Sequence, residues 1–229
     1  MDTMTLSDLQ TAKAIEYLLA VAFLLMFVPF WRYSARLKAS AEAAVSATGW
    51  FHVPDGLGVH PGHAWAKSVA AGEVLVGIDD FARAAIGRIH DVELPPPGTI
   101  VRQGDRAWTL RGAAGALPMI SPVDGMVIAT NPKARIGSVE SDPYGEGWLL
   151  RVQAPTFGRN ARQLLSGSAA RAWMDGVAQR LRAAIAPDLG PALADGGVPV
   201  AGIAGEVGPE AWRHIASEFF FVESDKGGV

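Results

Sequence analysis

Three histidines, His52, His60 and His63, fall within twelve residues, a density at which a metal site has to be considered. Tetrahedral coordination needs a fourth ligand at suitable spacing, and no Asp/Glu/His quartet follows. The triplet therefore reads as structural or solvated imidazoles. Asp79-Asp80 and Asp91/Glu93 could divide acid and base roles between paired carboxylates. Asp79 and Asp80 instead stand where a short helix would be capped before Gly87, and Asp91 and Glu93 sit at the start of a strand. Gly202–Gly208 (GIAGEVG) is glycine-rich but lacks the spacing of a nucleotide-binding turn. The chain has no cysteine, which removes thiol catalysis, disulfides, iron–sulfur clusters and cysteine-built zinc sites. No nucleophile stands beside a positioned base. The expectation is a protein without catalytic residues, metal or cofactor.

The elements around these residues follow from composition. Of 229 residues, 49% are apolar and 19% charged, with a net charge of −3. That excludes a disordered or coiled-coil chain, and the absence of a basic excess argues against nucleic acid as a partner. The mean hydropathy of +0.19 points to apolar content outside a soluble core. It concentrates in Ala14–Trp31, eighteen residues with the single charge Glu16. As a helix this run spans roughly 27 Å, near the thickness of a bilayer's hydrocarbon core. Tyr17, Trp31 and Tyr33 lie where an aromatic belt would form. Lys13 is the one cation before the run, while Arg32, Arg36 and Lys38 follow it. The positive-inside rule then predicts a single span over residues 14–34 in the inner membrane. Residues 1–13 would lie outside, and a linker over 35–49 would lead to a cytoplasmic remainder. Ala39-Ser40-Ala41 offers a signal-cleavage alternative, opposed by the acidic start and the length of the apolar run.

From Trp50 to about Pro155, short apolar runs alternate with Gly/Pro punctuation: Glu73–Ile78, Ile100–Val101, Ala107–Leu110, Gly125–Ala129 and Trp148–Val152. This predicts a mainly β domain over 50–155, a sandwich or flattened barrel. Residues 156–229 read as a helical extension. One helix runs from Ser166 or Ser168 to about Ala186, with Trp173, Val177, Leu181 and Ile185 on one stripe and Pro187 and Gly190 ending it. A last helix opens near Pro209 and carries Trp212, Ile215 and Phe219 on one face. The run Phe219-Phe220-Phe221-Val222 cannot all face inward from a helix, so part of it is expected to be exposed.

Several motifs are specific in combination. Asp142-Pro143-Tyr144-Gly145-Glu146-Gly147-Trp148-Leu149-Leu150 and Gly77-Ile78-Asp79-Asp80-Phe81-Ala82 stand out. So do His63-Ala64-Trp65, Val92-Glu93-Leu94-Pro95 and Ser121-Pro122-Val123-Asp124-Gly125. In order and spacing they resemble the glycine cleavage system H protein over roughly residues 57–155. The resemblance implies a lipoyl-type fold of two small antiparallel sheets. It also implies a hairpin lysine bearing lipoic acid, placed seven residues before the serine of the Ser-Pro-Val-x-Gly turn. Counting back from Ser121 gives Ala114, within Arg111–Pro118, and no lysine occurs between Lys67 and Lys133. The family's acidic residue ahead of the lysine is here Arg111. A guanidinium stays protonated and is a poor acyl acceptor, so the domain reads as a carrier fold that has lost its carrier residue.

The function expected from these readings is a non-catalytic, membrane-anchored assembly subunit. It would dock on the other subunits of an integral membrane complex, of photosynthetic or respiratory type, with residues 14–34 in the lipid bilayer. The alternative is a carrier or regulator linked to glycine cleavage or lipoate metabolism. Contact surfaces are expected at Arg111 and Leu117 on the hairpin, and at Trp212, Phe219, Phe220 and Phe221 on the last helix.

Overall fold

The computed structural model describes residues 50–112, 115–189, 202–203 and 207–221, with isolated positions at 13, 17, 23, 26 and 27. Two compact units divide the chain, Met1–Ala47 and Thr48–Val229. The expected span over 14–34 lies almost wholly outside the described residues. Among those that are described, no helix is long and apolar enough to cross a membrane. The described positions of the first unit are helical, and the rings of Phe23 and Phe27, one turn apart, stack at 5.5 Å.

The second unit carries nine strands and five α-helices among its described residues. The strands are β1 (Gly58–His60), β2 (Ala64–Ala70), β3 (Glu73–Ile78), β4 (Ile89–Glu93), β5 (Ile100–Val101), β6 (Arg106–Gly112), β7 (Gly115–Ile120), β8 (Gly125–Thr130) and β9 (Leu150–Gln153). The helices are α1 (Asp80–Ile86), α2 (Ser138–Ser141), α3 (Phe157–Asn160), α4 (Gly167–Leu189) and α5 (Pro209–Phe220). One sheet is ordered β1-β2-β3-β9-β8-β5 and the other β4-β6-β7. Every named pair is antiparallel, so hairpins and short connections suffice.

The core reflects the alternation within strands. Val74, Val76, Val152, Leu150 and Val127 from the larger sheet are buried, as are Trp108, Leu110, Leu117 and Met119 from the smaller. On α4, Val177, Leu181 and Ile185 are buried at the expected four-residue interval. The helix itself continues three residues beyond the expected stop, to Leu189. Pro187 does not end it: its fixed φ suits a helix, although its missing N–H forfeits the bond to the carbonyl four residues before.

Glycines mark the places where chains approach. A Cβ on Gly77 would lie 2.5 Å from the Trp65 ring, and one on Gly125 would lie 2.3 Å from the Gln153 carbonyl oxygen. The Trp65 indole N–H donates to the carbonyls of Ile78 (2.8 Å) and Pro143 (3.1 Å), joining three separated motifs at one buried ring. The Tyr144 hydroxyl donates to the His52 carbonyl at 2.6 Å and accepts the Asp80 N–H at 2.9 Å. Burial, reinforced by the Asp79 charge, pushes the Tyr144 phenol well above its usual range. The unfolded chain therefore loses this proton first, and stability present below about pH 10 is lost as pH rises past it. Thermal melts of the wild type are expected to fall steeply between about pH 9.5 and 11, and those of Tyr144→Phe less so. At neutral pH the same variant should cost about 1 kcal/mol, because it removes hydrogen bonds to a part-buried backbone N–H and an exposed carbonyl.

Candidate functional site

The β6–β7 hairpin is the position to which sequence reasoning assigns chemistry. Its register is Leu110↔Leu117, Arg111↔Ala116 and Gly112↔Gly115, so Ala113 and Ala114 form the two-residue connection. Ala113 and Ala114 both lie outside the described residues. Gly112 is required at the base of the tip: a Cβ there would come within 2.6 Å of Ile86 Cγ1 and 3.0 Å of the Ile86 carbonyl oxygen. Gly115 takes φ +110°, which a residue with a Cβ adopts only with strain. The hairpin is thus pinned against the end of α1.

Across the smaller sheet Arg111 reaches Glu93 with two nitrogens, at 2.6 and 2.7 Å, both side chains being half exposed. Exposed pairs of this kind contribute at most about 1 kcal/mol, so the contact orients Arg111 more than it stabilises the sheet. A lipoyl group needs a primary amine to form its amide, and the residues from Arg111 to Pro118 supply none. On the register that the resemblance implies, these hairpin residues do not fit that group.

Behind the sheet stands a buried polar pair. His63 Nδ1 donates to Asp79 Oδ2 at 2.8 Å, with both side chains essentially inaccessible. The other Asp79 oxygen accepts the Ala82 N–H at 2.9 Å and caps α1, as the sequence predicts. His63 has φ +62° and packs its ring on Phe81 (4.1 Å), Trp173 (5.0 Å), Phe220 (5.3 Å) and Phe219 (6.3 Å). Its Nε2 is buried and has no hydrogen-bond partner among the described residues. This histidine holds the domain and the last helix together, with no nucleophile in the cage. Asp79→Ala removes the cap and strands the imidazole N–H. We expect a loss of about 2–5 kcal/mol in denaturant titration, without any change in strand content by circular dichroism.

His52 and His60 go elsewhere. The His52 backbone N–H donates to Asp80 at 3.1 Å, and His60 Nδ1 accepts the Gly62 N–H at 3.0 Å. Burial, with the neighbouring His63, lowers the pKa of His60. Among the described residues no three His, Asp or Glu side chains are grouped to hold a metal. A second polar network ties the Ser121–Gly125 turn to α3. Asp124 accepts from Asn160 Nδ2 (2.8 Å) and from the Gln103 N–H (2.8 Å), which hold its carboxyl below the usual carboxylate range.

The six residues expected on contact surfaces separate. Arg111 and Phe221 are exposed, Phe221 by 55%, and Trp212 is half-buried. Leu117, Phe219 and Phe220 are taken into the chain's own core, at 1%, 3% and 2% exposure, which corrects their placement on an exposed surface. The physical reason is that α5 packs against both β7 and α4, so its inward stripe is wide enough for two adjacent residues. Phe219 lies 5.1 Å from Phe81, with the Arg180 guanidinium 5.5 Å above its ring.

A two-sheet domain with a pinned hairpin is the class defined by this geometry, and comparison with known proteins places the chain within it. A family model described as Glycine cleavage H-protein matches residues 59–176. The Glycine cleavage system H protein of Aeromonas hydrophila is 36% identical over 116 residues, 49% of this chain and 89% of that one. That of Bifidobacterium longum is 36% identical, covering 44% and 74%. The Probable glycine cleavage system H protein 2 of Sulfurisphaera tokodaii is 35% identical, covering 46% and 72%. The crystal structure of an H protein from Mycobacterium marinum aligns over 54% of this chain and 99% of that one, with 27% identity and a TM-score of 0.48. The chain belongs to the glycine cleavage H-protein family. The end of α4 and all of α5 lie beyond the matched residues.

Proposed function

We propose that the chain is a non-carrying, non-catalytic member of its family, a regulator linked to glycine cleavage or lipoate metabolism. It engages the proteins that a loaded relative engages, without bearing a lipoyl group. One observation carries this reading: the hairpin keeps its register and its tight packing on α1, while the acceptor position is alanine and no other lysine is near. A small apolar tip can still press against a partner but can deliver nothing. The test is a reconstituted glycine cleavage reaction driven by a lipoylated H protein. Titrating in this chain should lower the rate, and Arg111→Asp, which repels Glu93 and redirects the hairpin edge, should relieve the inhibition. An unchanged rate at large excess would overturn the reading.

A second reading rests on a different observation. Tyr17, Phe23, Met26 and Phe27 are all exposed, within the apolar run of residues 14–31. They support an inner-membrane tether over 14–34, following a short outer segment (1–13) and leading through 35–49 to the β domain (50–155) and the extension (156–229). On that reading the tether holds the domain on an integral membrane complex and raises its effective concentration there. Mild detergent extraction followed by size analysis decides it: a free 24.1 kDa species would remove the membrane-complex role.

A further inference from the structure

Where α5 meets the smaller sheet, a cavity of about 190 Å³ opens between Gly104, Arg106, Pro118 and Ile120 on one side and Phe220 and Phe221 on the other. One wall belongs to the matched family domain, and the other comes from the extension beyond it. The matched domain alone would not form this site.

Its chemistry is that of an amphiphile. Arg106 is exposed, and no carboxylate stands within ion-pair distance among the described residues, whereas Arg83, Arg111 and Arg171 each hold one. Register places Arg106 opposite Ile120, so the cation stands at the rim of an apolar wall. Phe221 supplies the second feature. It ends α5 in the left-handed conformation, φ +54° and ψ +31°, a position where glycine or asparagine would be unstrained. Phe221 lines the cavity at 55% exposure, unlike the buried rings of Phe219 and Phe220 before it. The cavity is open to solvent past exposed Gly104, Arg106 and Phe221, and its volume leaves room for a body about the size of a benzene ring and a small head group. One cation selects one negative charge.

We propose that this cavity binds a small monocarboxylate with an apolar body about the size of a benzene ring. The carboxylate pairs with Arg106, and the body lies between Pro118, Ile120 and the rings of Phe220 and Phe221. This site is independent of the hairpin tip and of the regulatory role proposed above.

Calorimetric titration of the full chain with phenylacetate tests it, using 2-phenylethanol and Arg106→Gln as controls. Saturable binding with one site is expected, weakened at least about tenfold in Arg106→Gln and for the uncharged alcohol. Phe221→Ala should weaken it several-fold. Because Arg106 and Phe221 are exposed, both variants should melt close to the wild type, which separates lost binding from lost folding. No saturable heat, or equal affinity of wild type and Arg106→Gln, would overturn the site. Neither result bears on the competition experiment, which reads a different surface.

Discussion

Ala114→Lys is expected to turn the chain into a substrate for a lipoate–protein ligase, giving nearly complete modification where the unaltered chain shows none. The register leaves only positions 113 and 114 outside the ladder, between the paired residues Gly112 and Gly115. Gly112 and Gly115 hold the base of the tip, the first by its closeness to Ile86 and the second by its positive φ. A substitution at a turn position outside the ladder should cost less than about 0.5 kcal/mol of stability. Ala113→Lys is the register control and should be modified poorly, because the count from Ser121 places the acceptor at 114 and not one residue earlier. Intact-mass measurement after incubation with ligase and lipoate reads both variants. Equal modification of the two, or of neither, would show that the seven-residue count from Ser121 does not locate the acceptor position.

Phe220→Ala should be the most destabilising truncation on the last helix. Its ring is buried to 2% exposure, stacks on Phe81 at 5.6 Å and meets His63 in a tilted contact at 5.3 Å. Deleting a buried phenylalanine side chain costs about 3–5 kcal/mol through lost transfer energy and the cavity left behind. For a unit of this size that corresponds to roughly 6–20 °C in melting temperature. An interface role for Phe220 in the free chain predicts the opposite pattern: a melt within about 1 kcal/mol of wild type, with loss of a partner. Differential scanning calorimetry of the isolated chain distinguishes the two.

Legibility in the sequence followed the chemistry of individual residues. The motifs were readable because each contains a residue with few substitutes. Asp79 caps α1, Gly77 makes room for Trp65, and Gly125 lets β8 approach β9. Asp142 accepts the N–H groups of Gly145 and Glu146 in a tight turn. These residues specify the fold rather than the reaction, which is why the family was legible and the function much less so. Strand β7 was hidden by Pro118, which argues against a strand interior; it is tolerated because β7 is the edge of its sheet. Strand β2 does not alternate, since Ala64, Trp65 and Ala66 are buried in succession before four exposed residues. Its pairing with β3 had no signal in the pattern. The pair Phe219-Phe220 was ambiguous because a one-sided helix buries only one of two neighbours, and the second surface presented by β7 was not visible in the sequence. The cavity beside Arg106 was illegible for the same reason: its two walls lie about a hundred residues apart, and only folding brings them together.

The most direct test of the central claim, an H-protein fold without a carried group, is the intact mass of the unaltered chain purified from its own cells. The mass of the unmodified sequence is predicted, with the peptide spanning Arg111–Pro118 unaltered in the fragment spectrum. A lipoyl adduct on any lysine, or any acyl group on that hairpin, would contradict it.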